Sequence, residues 1–144
     1  MDTRIRPGLP MIFVLAGLGG CAGVFHATAS VPPGLDAYQT AVARRVTERN
    51  PEHRYDGTLP AMLPAVVVLK VTVDRDGEMT QVAVQRARDD AAASVAVDSM
   101  WRSAPLPPPQ GLAPSGKLTF LETFLFVDGQ RYQLRSVADR QASE

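Results

Sequence analysis

The stretch from residue 65 to residue 84 reads AVVVLKVTVDRDGEMTQVAV, and it decides the fold class. In its first half Leu69, Val71 and Val73 alternate with polar residues, which predicts a strand with one buried face. Residues 74–77, Asp-Arg-Asp-Gly, supply turn chemistry, and the alternation resumes after them. We therefore expect an antiparallel hairpin.

The acidic turn of this hairpin has part of the pattern of a calcium-binding loop. An EF-hand loop requires a third oxygen ligand before its glycine and a glutamate six residues after it, and neither is present. One cysteine, Cys21, and two histidines, His26 and His53, do not make a zinc-binding pattern. The sequence therefore predicts neither a metal nor a cofactor.

A helix is predicted before the hairpin. Its apolar residues recur at spacings of three and four from Leu35 to Val46, Asp36 is available as its N-cap, and Asn50-Pro51 should end it. We expect one side of this helix to pack on the sheet and its arginines to face solvent.

A second predicted helix follows the hairpin, with Asp89 or Asp90 as its N-cap. We expect Trp101 to belong to the core, so that its truncation to alanine should cost about 3 to 5 kcal/mol. The apolar stripe of this helix consists of Ala93, Val97, Met100, Trp101 and Ala104.

The longest predicted strand spans residues 117–127 and has two apolar faces. Asp128-Gly129 indicates a hairpin turn, after which residues 130–135 would return as a short strand before a polar tail. The fold class is therefore α+β, with two helices on one face of an antiparallel sheet of three strands, or four if residues 130–135 pair. One strand face carries Leu118, Phe120, Phe124 and Phe126, and the other carries Thr119, Leu121, Thr123 and Leu125.

The N-terminal residues have the order of a secretory signal. Arg4 and Arg6 precede an apolar run over residues 9–20, which is shorter than the roughly 20 residues of a spanning helix. Leu18-Gly19-Gly20-Cys21 resembles the lipobox of bacterial lipoproteins, and this resemblance implies cleavage before a lipidated Cys21. The predicted regions are thus a signal peptide (1–20), a lipidated tether (21–34), a domain (35–136) and a tail (137–144).

Composition and motifs bear on the class of function. Lys plus Arg and Asp plus Glu are balanced at 15 each, which argues against nucleic acid as the main partner. The chain has no Gly-x-Ser-x-Gly elbow, no P-loop and no His-Glu-x-x-His motif, and Asp89-Asp90 is explained as the favourable charge at a helix N-terminus. We therefore predict no catalytic residues and no enzymatic activity.

The order of elements resembles a known module of the bacterial envelope. Helix, strand, Asp-x-Asp-Gly turn, strand, a helix that ends in WRSAPLPP (residues 101–108), and a phenylalanine-rich strand before Val127-Asp128-Gly129 resemble the C-terminal domain shared by TonB and TolA. The resemblance implies a periplasmic domain that binds other envelope proteins. Ala22 after Cys21 further implies an outer-membrane anchor that faces the periplasm, with the inner membrane as the alternative.

A strand with two apolar faces is suited to an open sheet edge, onto which an extended peptide adds by main-chain hydrogen bonds. TonB-like domains accept receptor segments in this way. Two alternatives remain: residues 130–135 cover that edge, or the second apolar face is a homodimer contact. The predicted partner-binding residues of this edge strand are Thr119, Leu121, Thr123, Leu125 and Val127.

The sequence departs from full TonB energy transducers in two ways. The tether between Cys21 and Gly34 has at most 13 residues, too few at about 3 Å per residue to cross the periplasm. The Gln-Pro-x-Tyr-Pro segment of TonB is missing, and residues 50–55 read NPEHRY instead. We expect a stationary, lipid-anchored adaptor. The alternative is a short energy transducer whose N-terminal anchor stays uncleaved in the inner membrane.

Overall fold

The computed structural model describes the backbone of residues 34–141 and the side chains of residues 34–138. These residues form a four-stranded antiparallel sheet and three helices, so the predicted α+β class is confirmed. The elements in chain order are α1 (Leu35–Arg49), a 3₁₀ turn (Pro51–His53), β1 (Ala65–Asp74), β2 (Met79–Arg86), α2 (Asp90–Arg102), β3 (Lys117–Phe126), β4 (Tyr132–Leu134) and α3 (Arg135–Gln141).

The strands lie in the order β2-β1-β3-β4. β1 and β2 form the predicted hairpin, and β1 also pairs with β3 in unbroken register from Ala65 opposite Phe126 to Asp74 opposite Lys117. β4 is short and pairs with only the last three residues of β3. Residues 130–135 therefore do return as a strand, over Tyr132–Leu134.

The hydrophobic core lies between one face of the sheet and the helices. Every second residue of β1 and β3 points into it, as the alternation predicts, and burial of these apolar side chains is the main stabilising contribution. The strand residues of this core are Val67, Leu69, Val71, Val73, Met79, Leu118, Phe120, Phe124, Phe126, Tyr132 and Leu134.

Helix α1 begins two residues earlier than its predicted cap would place it. The N-cap is Gly34, which has a φ of 88° and offers no side-chain cap, so the prediction of Asp36 as N-cap is wrong. Asp36 lies in the first turn, where its carbonyl oxygen accepts a hydrogen bond from the Thr40 hydroxyl at 2.9 Å. A glycine is favoured at the N-cap because the positive φ costs it little.

Asn50 ends α1 as predicted, and its buried side chain also joins two helices. Its amide nitrogen Nδ2 donates to the Val46 carbonyl at 2.8 Å and reaches α2 through the Ser99 carbonyl at 3.1 Å and the Ser103 hydroxyl at 3.3 Å. A buried amide that bonds to both helices fixes where the end of α1 lies on α2.

Helix α2 confirms one sequence prediction and corrects another. The Asp89 carboxylate accepts the amide of Ala92 at 2.9 Å, which is an N-cap as expected. Trp101 is 45% exposed, so the prediction that it belongs to the core is wrong. The packed side of α2 consists of its buried residues, which leave the indole outside: Ala92, Ala93, Ala96, Ser99 and Met100.

Two further predictions about the C-terminal part need correction. β3 lies between β1 and β4 in the sheet, so its expected position as an open edge strand is wrong where β4 covers it. The expected polar tail is also wrong over residues 137–141, which belong to α3. α3 contacts α1, β3 and β4, and Val137 packs against the core.

The proline-rich connector after α2 packs on the β1–β2 turn. The Leu106 amide donates to the Gly77 carbonyl at 3.0 Å, and the Tyr38 hydroxyl of α1 donates to the Pro107 carbonyl at 2.9 Å. Gly77 has a φ of 87°, and a Cβ there would overlap the Leu106 carbonyl oxygen, so this turn requires glycine. Burial raises the pKa of Tyr38 to about 12.

Candidate functional site

The outer side of β3, which faces away from β1, is divided into a covered and an uncovered part. The Val127 amide donates to the Arg131 carbonyl at 2.9 Å, and hydrogen-bonded pairs recur every second residue in an antiparallel ladder. Leu125 and Gln133 are therefore also a hydrogen-bonded pair, and the main-chain groups of odd-numbered β3 residues point outward.

The uncovered part begins where β4 ends. After Leu134 the chain turns into α3, so no strand of residues 34–141 pairs with the outer side of Thr119, Leu121 or Thr123. An α1 side chain reaches this edge once: Gln39 Nε2 donates to the Leu121 carbonyl at 2.8 Å. This donation independently confirms that the Leu121 main chain points outward.

The structure divides the five predicted binding residues into two groups. Leu125 is buried, Val127 is half-buried, and both are paired toward β4 and its turn, so their main chains are not available to a partner. Thr119 and Leu121 are exposed and Thr123 is half-buried on the uncovered part. Partner binding by these residues stays a prediction.

The opposite edge of the sheet, formed by β2, is irregular. Val68 of β1 pairs with Arg86 and the next residue, Leu69, pairs with Val84, so Gln85 has no partner in β1 and forms a bulge. A second bulge lies at Thr80 near the turn, between the partners of Thr72 and Val73. Bulges twist an edge strand and discourage pairing with another chain. By contrast, β3 has no register shift along its pairing with β1.

A groove of about 670 Å³ lies on the sheet face opposite the helices, which we call the far face. β1 contributes Val66 and Val68 to it. Three arginines also line it: Arg86 at the end of β2, Arg88 before α2 and Arg135 at the start of α3.

Among the residues whose side chains the structure describes, one carboxylate lines the groove, that of Asp89, whose Oδ1 already accepts the Ala92 amide. None of the three arginines forms an ion pair or side-chain hydrogen bond with residues whose side chains the structure describes. The groove therefore offers exposed guanidinium groups beside apolar surface.

Glu122 is the residue that sequence reasoning missed on the core side. It is 1% exposed and lies opposite Leu69, between the core residues Phe120 and Phe124. Burial raises its pKa to about 8, and the nearby Thr123 amide and Ser136 hydroxyl hold it below what burial alone would produce. The alternation could have predicted that Glu122 points into the core, because the other even-numbered residues of β3 do so.

His53 and the pair Asp89-Asp90 each have their own structural contacts. His53 Nδ1 lies 2.6 Å from the Gln130 carbonyl oxygen, so this nitrogen donates there, and Nε2 lies 3.6 Å from Glu52. Asp89 is the α2 cap, and Asp90 is an exposed residue of the first turn. Over the described residues, no group of three or more His, Cys, Asp and Glu side chains comes together as a metal site.

The predicted signal, lipidation site and tether, including Cys21, lie outside the described residues. Among the helices that are described, none is long and apolar enough to cross a membrane. No family model, no curated protein and no solved structure matches this chain.

Proposed function

We propose that this protein is a lipid-anchored adaptor of the bacterial cell envelope whose domain binds an extended segment of a partner protein. The segment adds to the uncovered outer side of β3, beside the end of β4. Cys21 carries the anchor, and the domain faces the periplasm from the outer membrane.

The observation that carries the proposal is the length difference between β3 and β4. β3 runs from Lys117 to Phe126, whereas β4 pairs only with Phe124 to Phe126. The remaining outer side is a regular strand whose main-chain groups at Thr119, Leu121 and Thr123 lack a paired strand among residues 34–141. Such a strand accepts a peptide through main-chain hydrogen bonds.

The resemblance to the TonB and TolA C-terminal domain supports the same proposal. That family packs helices on one face of a three-stranded antiparallel sheet. This domain also packs helices on an antiparallel sheet, which has β4 as a fourth strand. The alternative function is that of a short energy transducer in the inner membrane. The energy transducer would keep an uncleaved N-terminal anchor, whereas the adaptor carries lipid on Cys21.

Site-specific photo-crosslinking tests the binding site. A photoreactive residue at position 119 of the full-length protein should form a covalent adduct with the partner protein in bacterial cells. Leu121→Pro should abolish it, because proline removes an outward N–H and leaves the ladder with β1 intact. Leu121→Ala is the matched control, since it shortens the same side chain and keeps the N–H.

Circular dichroism and urea unfolding of both variants establish that the domain remains folded. An adduct that persists in folded Leu121→Pro would contradict strand addition at this site. An adduct with the mass of two chains would indicate a homodimer in place of a different partner.

The intact mass of the detergent-extracted protein tests the anchor. We expect a chain that begins at Cys21 and carries acyl groups, and Cys21→Ser should lose this modification. An unmodified full-length mass would reject the lipoprotein proposal and favour the energy transducer.

A further inference from the structure

The arginines around the far-face groove are a local excess of positive charge. The whole chain is neutral, with 15 basic and 15 acidic residues, yet three guanidinium groups and one carboxylate line this groove. The carboxylate, on Asp89, is held as the cap of α2. A planar guanidinium binds carboxylates through two parallel hydrogen bonds, which an ammonium group does not offer.

Two of these arginines lie near the two ends of one row of residues across the sheet. Val68 pairs with Arg86 on one side and with Thr123 on the other. Arg135 begins α3 directly after β4 and lines the groove together with Thr123. At roughly 4.8 Å between strands, the row from Arg86 to Thr123 spans about 10 Å.

The groove adjoins the proposed binding edge. Thr123 and Arg135 line the groove and also border the uncovered outer side of β3. A segment that adds to this edge directs alternate side chains to the far face, because side chains in a strand alternate between the two faces. Where the segment passes the end of β4, these side chains lie beside Thr123 and Arg135, which belong to the groove.

We propose that the partner segment is acidic and that carboxylates on one of its faces bind the guanidinium groups of the far-face groove. This inference rests on the proposed function and names the chemistry of the partner. Beyond the β3 edge the segment continues into the groove, where its carboxylates pair with Arg135 and then with Arg86 and Arg88, and its apolar residues cover Val66.

Peptide binding to the full-length protein in detergent tests this inference. The probe is a labelled peptide in which glutamate alternates with valine and serine. The control peptide has glutamine in place of every glutamate. Fluorescence anisotropy should show the acidic peptide binding at least about tenfold more tightly, with an affinity that falls as salt rises.

Three variants locate the contact. Arg135→Gln should weaken the acidic peptide by roughly tenfold, the loss expected for one charge-assisted pair. Arg49→Gln, an exposed arginine in the last turn of α1, removes the same charge outside the groove and should change the affinity by less than about twofold. Asp89→Asn keeps an N-cap residue, removes the carboxylate that lines the groove and should strengthen binding.

The outcomes separate this inference from the function on which it rests. Equal binding of the two peptides, lost in Leu121→Pro, would overturn the acidic specificity and leave strand addition standing. Binding that requires Arg135 but survives Leu121→Pro would overturn strand addition, and this inference with it. Failure of both peptides to bind, or equally tight binding of inorganic phosphate alone, would also overturn the inference.

Discussion

The two faces of β3 differ in what covers them, although they belong to one stretch of chain. Phe120, Phe124 and Phe126 lie under the helices and are almost fully buried, whereas Leu121 on the far face is 49% exposed. Alternation is equally regular on both faces, so it does not by itself show which face carries the helix layer. The difference separates a face that holds the fold together from one that is partly exposed to solvent.

The largest expected effect is on the covered face. Phe124→Ala should lower the free energy of unfolding by about 3 to 5 kcal/mol, because it opens a cavity in a fully buried cluster. Urea unfolding followed by circular dichroism measures this loss. A loss below about 1 kcal/mol would mean that the helices do not cover this face as described.

Glu122 is the exception on the covered face, and it makes stability depend on pH. Its carboxyl ionises near pH 4.5 when unfolded and near pH 8 when folded, so the folded state holds the proton more strongly. Between these values the free energy of unfolding falls as pH rises, by on the order of 5 kcal/mol. The full stability is present below about pH 4.5.

Glu122→Gln should remove this fall, because the amide does not ionise. We expect the variant to be more stable than the wild type by about 4 kcal/mol at pH 8 and to lose that advantage near pH 4.5. Urea unfolding of both proteins across this range provides the test. A constant difference between them at all pH values would contradict the raised pKa.

Trp101 tests whether burial, rather than size, sets the cost of truncation. Because its side chain lies on the outer side of α2, Trp101→Ala should cost about 1 kcal/mol, well below the 3 to 5 kcal/mol of a buried tryptophan. Met100→Ala, at the fully buried neighbour, is the matched comparison and should cost about 2 to 5 kcal/mol. Equal costs would place the indole in the core.

The smallest effect is expected on the far face. Leu121→Ser should change the free energy of unfolding by no more than about 0.5 kcal/mol, because half of the side chain already contacts water. Thermal unfolding of Leu121→Ser and of Phe124→Ala compares the stability that the two faces of β3 contribute. A large loss here would show that another part of the chain covers the far face.

Local pattern in the sequence predicted the strands and most helix ends, because these depend on neighbouring residues. The β1–β2 hairpin, the core side of β1, the Asp89 cap and the Asn50 end of α1 were all readable in this way. Helix α3 was missed because only Val137 and Ala138 are apolar in its seven residues. That is too little to form a recognisable apolar stripe.

The order of the strands and the burial of individual side chains could not be predicted from the sequence, since they depend on residues distant in sequence. Nothing local to residues 117–127 indicates that β4 covers only the last three residues of β3. Trp101 falls within the predicted stripe, yet α2 packs through alanine and serine instead. The far-face groove joins Val66, Arg86 and Arg135, which only the folded sheet brings together.

The two bulges of β2 have a consequence for how many chains one domain can recruit. A growing filament needs two compatible edges on every unit, one to receive and one to offer. Here Thr80 and Gln85 interrupt one edge, while the other is regular but short. Under the proposed strand addition, such a domain would have a valency of one, because a single added strand would complete the sheet and polymerisation through edge pairing would stop there.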